Sequence, residues 1–463
     1  MKENNAIAKQ SPIMQKMAEH WPLITALIGG TKAMRDAGRD YLPQWPGESD
    51  DSYNTRIKVA TLHPAFKRTV KVLAAKPFSK AIEPGDDVPD RIKQLFDDID
   101  LQGRNLQAFA SLVFNEALSY GISGVLVEAP IRASNIITQA DEKAAGIRPF
   151  LVHYSAWNIL GWRTELINGY DRLIQLRLKE YKIEPDGDYG EKTIEYVRVL
   201  TPGKWEIWKQ NGKKEWVLHN VGVTNLTEIP FVMFYGMRTG AMTGEPPLLE
   251  LAYQNVEHYQ SSSDQQNILH ASRVPILTMI GANDSDEITI GAAKAVKLPM
   301  GADMKFVEHS GAAIGAGRQS IIDLEERMRQ SGAELLLIKP GQATATEISS
   351  DNEGNKCDLQ RSTESAEDSL DQCLQFMADM FGEKDGGSVS LFKDFGVATL
   401  SDASAQLLLA ANQSGKISDF TLLLELKRRG ILAPELDVME EKDRIDEQGP
   451  ALGMLGADSQ LVA

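Results

Sequence analysis

Residues Glu245–Arg273 read EPPLLELAYQNVEHYQSSSDQQNILHASR. Pro246 and Pro247 open the stretch, and the remainder reads as one long helix. Its first half carries Leu248, Leu249, Ala252, Val256 and Tyr259, spaced as one helix face. Gln260–Asn267, QSSSDQQN, then brings no apolar side chain for about two helical turns. An ordinary core cannot take that section, because buried polar groups without partners are costly. It is expected to face water, a channel, or a neighbouring subunit through hydrogen bonds. A helix apolar at one end and polar all round in its middle points to an assembly rather than an enzyme pocket.

The stretches on either side of this helix differ in character. Residues 1–130 read mostly helical: Ser11–Gly29 interrupted at Pro22, then Ser52–Ala75 broken at Pro64, with the turn-rich loop YLPQWPGESDD (Tyr41–Asp51) between them. Leu106–Tyr120 is an amphipathic helix stopped by Gly121, followed by a short strand at Val125–Val127. From Pro149 to Tyr235 the period becomes two. Strand-like runs appear at Phe150–Tyr154, Leu173–Tyr181, Thr193–Leu200, Lys204–Lys209, Glu215–Asn220 and Phe231–Tyr235. Turn signals separate them, of which Asn211-Gly212 is the strongest hairpin cue. This is a β-rich insert, a small sandwich or meander.

Beyond the long helix, Val274–Ser310 reads as a small α/β unit. A second long helix is expected over Arg318–Leu337, with Ile321, Leu324, Met328 and Leu335 on one side and a charged exposed side. Gly315-Ala316-Gly317 reads as a flexible joint before it. Lys339–Asn355, KPGQATATEISSDNEGN, is a loop of small polar residues. A third helix is expected over Lys356–Phe381, and two more over Ala403–Gln413 and Ser418–Arg429. Beyond Pro434 the chain is polar and acidic, and it is expected to be mobile after Gly449.

The 463 residues suggest two to four structural units. A hydrophobic content of 42% is enough for sizeable cores. No run of about 18 apolar residues occurs, so no membrane partner is expected. The first fifteen residues lack an apolar h-region, so no secretory signal is expected. Cys357 and Cys373 would lie about 24 Å apart on one helix, too far to bridge. Synthesis in a reducing cytoplasm fits this. The net charge of −16 argues against a protein that grips nucleic acid by neutralising phosphates. It leaves room for one that lets DNA pass without holding it.

Signals for catalysis are weak. Gly315-Ala316-Gly317 is followed by Ser320 where a dinucleotide fingerprint needs glycine, and no Walker A sequence occurs. Gly121-Ile122-Ser123-Gly124 is one residue short of a nucleophile elbow and precedes a strand rather than coming after one. The seven histidines do not cluster along the sequence, and no metal-ligand spacing is present. No catalytic residue, cofactor or metal site is expected.

In order along the chain, YLPQWPGES (Tyr41–Ser49), Arg56, Arg68-Thr69-Val70, LSYGISGVLVE (Leu118–Glu128), Pro246–Pro275, DLEER (Asp323–Arg327) and Ala333–Leu335 resemble the portal proteins of tailed bacteriophages. The subgroup is one formerly catalogued as a domain of unknown function, and the resemblance covers roughly residues 30–430. It implies a ring-forming α+β protein with no catalytic activity. Residues 1–244 would be the wing, with the β-rich insert at 149–236. Stem helices at 245–273 and 318–337 would flank a clip at 274–317. A tunnel loop at 338–355, a long wing helix with closing strand at 356–400, and a crown with acidic tail at 401–463 would complete it.

The same resemblance implies a ring, usually of twelve subunits, at the portal vertex of the virion capsid, assembled in the host cytoplasm. Double-stranded DNA would pass through the channel without sequence-specific binding. The terminase large subunit, then head–tail adaptor or neck proteins, would dock on the ring, and the major capsid protein and scaffold would surround it. Lys339, Gln342, Thr344, Thr346, Ser349 and Ser350 would belong to the tunnel loop. Ser261, Ser262 and Gln265 would form the stem's polar face. Lys294, Lys297 and Lys305, the basic residues of the clip, would dock partners. Two other readings stay open: another head or neck component, or a metal-dependent phage DNA enzyme, for which no carboxylate cluster is visible.

Overall fold

The computed structural model describes residues 6–130, 146–272, 276–281, 303–307, 312–336, 356–393, 395, 402–428, 432 and 436–448. It divides into two compact units, Met1–Phe392 and Lys393–Ala463. The fold is α+β.

The first unit begins with helices α1 (Pro12–Met17), α2 (Trp21–Ala37), α3 (Asp50–Val59) and α4 (Ala65–Ala75). The Ser11–Gly29 run is broken just before Pro22, between α1 and α2, and Pro22 sits in the first turn of α2, where its missing N–H costs nothing. A second break falls at Gly30, whose φ of 79° kinks α2. Ser49 caps α3 by accepting the Ser52 N–H at 3.2 Å. After β1 (Glu83–Pro84) and the short α5 (Asp90–Lys93), α6 (Leu106–Tyr120) ends at Gly121 in the left-handed region, as its sequence indicates.

Strand β2 (Ile122–Glu128) comes next, then β3 (Phe150–Tyr154), and β2 pairs with β3 on one side. Strands β4 (Ile159–Ile167), β5 (Tyr170–Asp186), β6 (Gly190–Thr201), β7 (Lys204–Gln210) and β8 (Trp216–Val223) form a five-stranded antiparallel meander. β9 (Phe231–Tyr235) returns to pair with the other side of β2. The β-rich region is therefore two sheets. Its first and last expected strands belong with β2, whose residues Ile122 to Val127 are buried throughout, as a central strand requires. Strand β4 is the one strand of this region without an expected counterpart.

β10 (Met237–Gly240) and β11 (Thr243–Glu245) make a small hairpin before the long α7 (Leu249–Ser272). β12 (Ile276–Ile280) pairs antiparallel with β13 (Asp303–Val307), and α8 (Ala312–Ala333) comes after them. α9 (Asp358–Phe381) packs its buried Leu370, Leu374 and Met377 toward the first unit's core. Two of its serines bind β9 and the residue after it: Ser369 Oγ donates to the Met233 carbonyl at 3.1 Å and Ser362 Oγ to that of Gly236 at 2.6 Å. β14 (Val389–Ser390) closes against β1. Among the described residues, no helix is long and apolar enough to cross a membrane.

The second unit contains α10 (Asp402–Gln413), α11 (Asp419–Arg428) and α12 (Val438–Gln448). Ser418 Oγ accepts the Thr421 N–H at 3.2 Å and starts α11. The acidic segment after Pro434 carries a helix. Asp437 Oδ1 accepts the N–H groups of Met439 and Glu440, and α12 begins there. Residues after 448 lie outside the described set.

Candidate functional site: the two-helix hairpin and its polar seam

Helices α7 and α8 run antiparallel. Contacts pair Gln265 with Ile314, His258 with Glu325, Glu257 with Arg327, and Leu251 with Gly332, one number rising as the other falls. At 24 residues, α7 is about 36 Å long. Its base is built on close backbone packing. A Cβ on Gly121, whose φ is 91°, would lie 2.6 Å from the Glu245 carbonyl carbon. Only glycine lets the end of α6 and the start of α7 meet there.

The polar middle of α7 is not left to water. Toward α8, Gln265 Nε2 donates to the Ile314 carbonyl at 3.0 Å. A Cβ on Gly317 would lie 2.2 Å from the Gln265 side-chain oxygen. Gly315-Ala316-Gly317 is thus inside α8 rather than a joint before it, and Gly317 makes room for the glutamine. Ser262 Oγ lies 3.3 Å from His258 Nδ1, and His258 Nε2 lies 3.2 Å from Glu325 Oε1.

On the other side, α7 meets the Tyr41–Ser49 loop. Gln260 Nε2 donates to the Tyr41 carbonyl at 3.0 Å, and Trp45 Nε1 donates to Asp264 Oδ1 at 3.2 Å. Behind them sits Arg56, 3% exposed at its side chain, against Glu48 at 8%. Arg56 donates from Nε and from one terminal nitrogen to the two Glu48 oxygens, both at 2.8 Å. The same terminal nitrogen donates to the Pro43 carbonyl at 2.7 Å, while the other stands 3.8 Å from Asp264. The bidentate hydrogen bonds from Arg56 hold the Glu48 carboxyl below its usual range.

Nearer the base, Asn255 is fully buried. Its Oδ1 accepts the Phe66 N–H at 2.9 Å and its Nδ2 donates to the His63 carbonyl at 2.8 Å. It supplies the cap that Pro64 cannot give α4. The His63 and His258 rings meet at 5.1 Å, so two histidines do come together, although the 195 positions between them hid this in the sequence. Burial, then the neighbouring His258, push the His63 pKa down.

Of the residues singled out from the sequence, Ser261, Ser262 and Gln265 are half-buried within the chain, and their neighbour Ser263 is buried. The exposed polar side chains of the Gln260–Asn267 stretch are Gln266 and Asn267, at its far end. Lys305 is exposed on β13. Lys294 and Lys297 lie outside the described residues, as do Lys339, Gln342, Thr344, Thr346, Ser349 and Ser350.

One grouping has the composition of a catalytic triad without its geometry. Ser123 Oγ lies 2.9 Å from His153 Nε2, and Glu116 Oε2 lies 3.1 Å from the same nitrogen. A relay needs the acid on the opposite ring nitrogen, and Ser123 is fully buried in β2. The cluster ties β2, β3 and α6 together, and Glu116 also accepts the Ala156 N–H at 2.9 Å.

Residues 247–381, which take in both hairpin helices and α9, match the model of a domain of unknown function, DUF4055. No curated protein matches the chain. Among solved structures it is similar to a chain of "Neck of empty GTA particle computed with C6 symmetry", with 12% identity, a TM-score of 0.40, and coverage of 85% of this chain and 97% of that one. It is similar to a chain of "Virion of native gene transfer agent (GTA) particle", with 11% identity, a TM-score of 0.41, and coverage of 86% and 98%. A third, "Neck of native GTA particle computed with C12 symmetry", gives 11%, 0.39, 80% and 90%. All three come from neck or virion particles of a gene transfer agent.

Proposed function

We propose that this chain is a portal protein: a subunit of a ring at one capsid vertex, through which double-stranded DNA is packaged and ejected. The observation that carries the reading is the hairpin. Two long antiparallel helices extend from a base fixed by glycine packing and a fully buried asparagine, and a buried ion pair braces the middle of the first. Their shared middle combines hydrogen bonds from Gln265 and His258 with the buried Tyr259, Leu324 and Met328. This leaves Gln266 and Asn267 on one arm, and Arg318 and Gln319 on the other, exposed and polar. A stem in a ring needs such surfaces, which stay hydrated in a channel or pair with the next subunit. The acidic net charge of −16 lets a duplex slide along such a bore without being gripped.

In this reading the segment between the arms, with Lys294, Lys297 and Lys305, is the docking surface for the terminase large subunit and later for neck proteins. The Lys339–Asn355 loop touches passing DNA. The Ser123 geometry and the absence of a catalytic constellation in the sequence disfavour the enzyme alternative. Native mass is the test. A single chain of 51.0 kDa should appear mainly as a species of about 600 kDa if twelve copies close a ring. A monomer or dimer at micromolar concentration would overturn the reading.

A further inference from the structure

Residues 52–82 hold seven Lys and Arg and no Asp or Glu, in a chain whose net charge is −16. Arg56 is consumed by Glu48 in the buried pair. The rest are placed by α4. The helix buries Phe66, Val70, Leu73 and Ala74. Thr69 faces α8, close to Gly332. The opposite face carries Lys67, Arg68 and Lys71, all exposed, with Lys58 exposed near the end of α3 and Lys80 exposed just beyond α4. Among the described residues, none of Lys58, Lys67, Arg68 and Lys71 has a carboxylate partner. The Lys80 ammonium lies 4.8 Å from the centre of the Phe392 ring, which leaves its charge unneutralised.

We propose that the outer face of α4, with Lys58 and Lys80 at its ends, contacts the phosphate backbone of duplex DNA. Lys67 and Lys71 are about 6 Å apart along the helix axis, a rise that spans about two phosphates at 3.4 Å per strand. Lysine is depleted in protein–protein interfaces, but it is an ordinary phosphate contact. A lysine-rich face without interleaved acids therefore favours a polyanion over an acidic protein. With the remainder of the chain strongly acidic, such contact is local, weak and salt-sensitive. The inference goes beyond the ring reading, which asks only that DNA pass without being held. Because binding is read on the purified chain in any oligomeric state, the two can fail separately.

The experiment is fluorescence anisotropy of a labelled 30-bp duplex with the full chain between 50 and 200 mM salt. Five contacts give a slope of log K on log salt of about −4.5, hence a loss of about 500-fold over that range. The triple variant Lys67→Gln, Arg68→Gln, Lys71→Gln should flatten the slope to about −1.8, a loss of about 12-fold. All three side chains are exposed, so its thermal midpoint should not move. A control triple on the meander, Lys182→Gln, Lys192→Gln, Lys213→Gln, should keep the steep slope. No binding by the wild type at 50 mM salt, or an equal flattening by the control, overturns the proposal. So does polyglutamate that binds as tightly as the duplex and loses affinity with the α4 triple, since that assigns the face to an acidic protein.

Discussion

Arg56→Ala probes the joint between the hairpin and the rest of the first unit. The substitution removes two 2.8 Å bonds to Glu48, the 2.7 Å bond to the Pro43 carbonyl and the charge facing Asp264. It leaves the Glu48 carboxylate, 8% exposed, with the Trp45 N–H at 3.1 Å as its remaining hydrogen bond. Breaking one side of such a buried pair costs about 3–5 kcal/mol, most of it the penalty of the orphaned charge. Replacing both partners, as Glu48→Gln with Arg56→Met, removes that charge and should cost no more than about 1 kcal/mol. Urea denaturation of the wild type, Arg56→Met, Glu48→Gln and the double gives a coupling of about 3 kcal/mol. The pH dependence has a definite sign. A carboxyl held below its ordinary value of 4.5 contributes stability above that value and loses it as pH falls through the folded one. The advantage of wild type over Glu48→Gln should therefore shrink below about pH 4.5. A cost under about 1 kcal/mol for Arg56→Ala, or a double variant no better than that single, would refute the argument.

The same structure sets three further outcomes. Asn255→Leu orphans the Phe66 N–H and the His63 carbonyl together and should destabilise the first unit by about 2–5 kcal/mol in the same denaturation assay. Asp371, raised to about 6 by burial and then by neighbouring carboxyls, binds its proton more tightly folded than unfolded, so stability falls as pH rises through that value. Because Asp371 is half-exposed, Asp371→Asn should gain only about 1 kcal/mol at pH 7.5 and nothing at pH 3.5, with the Val389 N–H bond kept by the amide oxygen. Gly317→Val should displace Gln265 and increase hydrogen exchange at the far end of the hairpin, while amides near Asn255 stay protected; unchanged exchange at both ends would count against close packing there.

Much of the α+β arrangement was legible because it is set locally. The apolar stripe of Leu106–Tyr120 and its terminal glycine fixed α6, and alternation gave six of the seven strands between Phe150 and Tyr235. Asn211-Gly212 misled in detail. That loop closes through the Glu215 carbonyl with Lys214 at φ 61°, not as a two-residue turn. The tight hairpin of that type lies at Asn168-Gly169, where both residues have positive φ and Ile167 pairs with Tyr170. Strand β4 before it, Ile159–Ile167, was missed because its second half is exposed on both faces and lacks alternation.

The candidate site was less legible for a different reason. QSSSDQQN announces that it needs polar partners, but those partners sit at Tyr41, Trp45, Arg56 and Ile314, fixed by tertiary packing alone. Gly317 reads as flexibility in isolation and as helix–helix clearance once Gln265 is opposite it. The basic stretch between Ser52 and Ile82 was in plain view. The whole-chain charge average concealed it.

Imaging the purified full-length chain tests the central claim most directly. Negative-stain class averages should show closed rings with rotational symmetry and a central hole wide enough for a duplex, with density from the hairpin lining that hole. Compact particles without a hole at every concentration tried, or open filaments that never close, would contradict it.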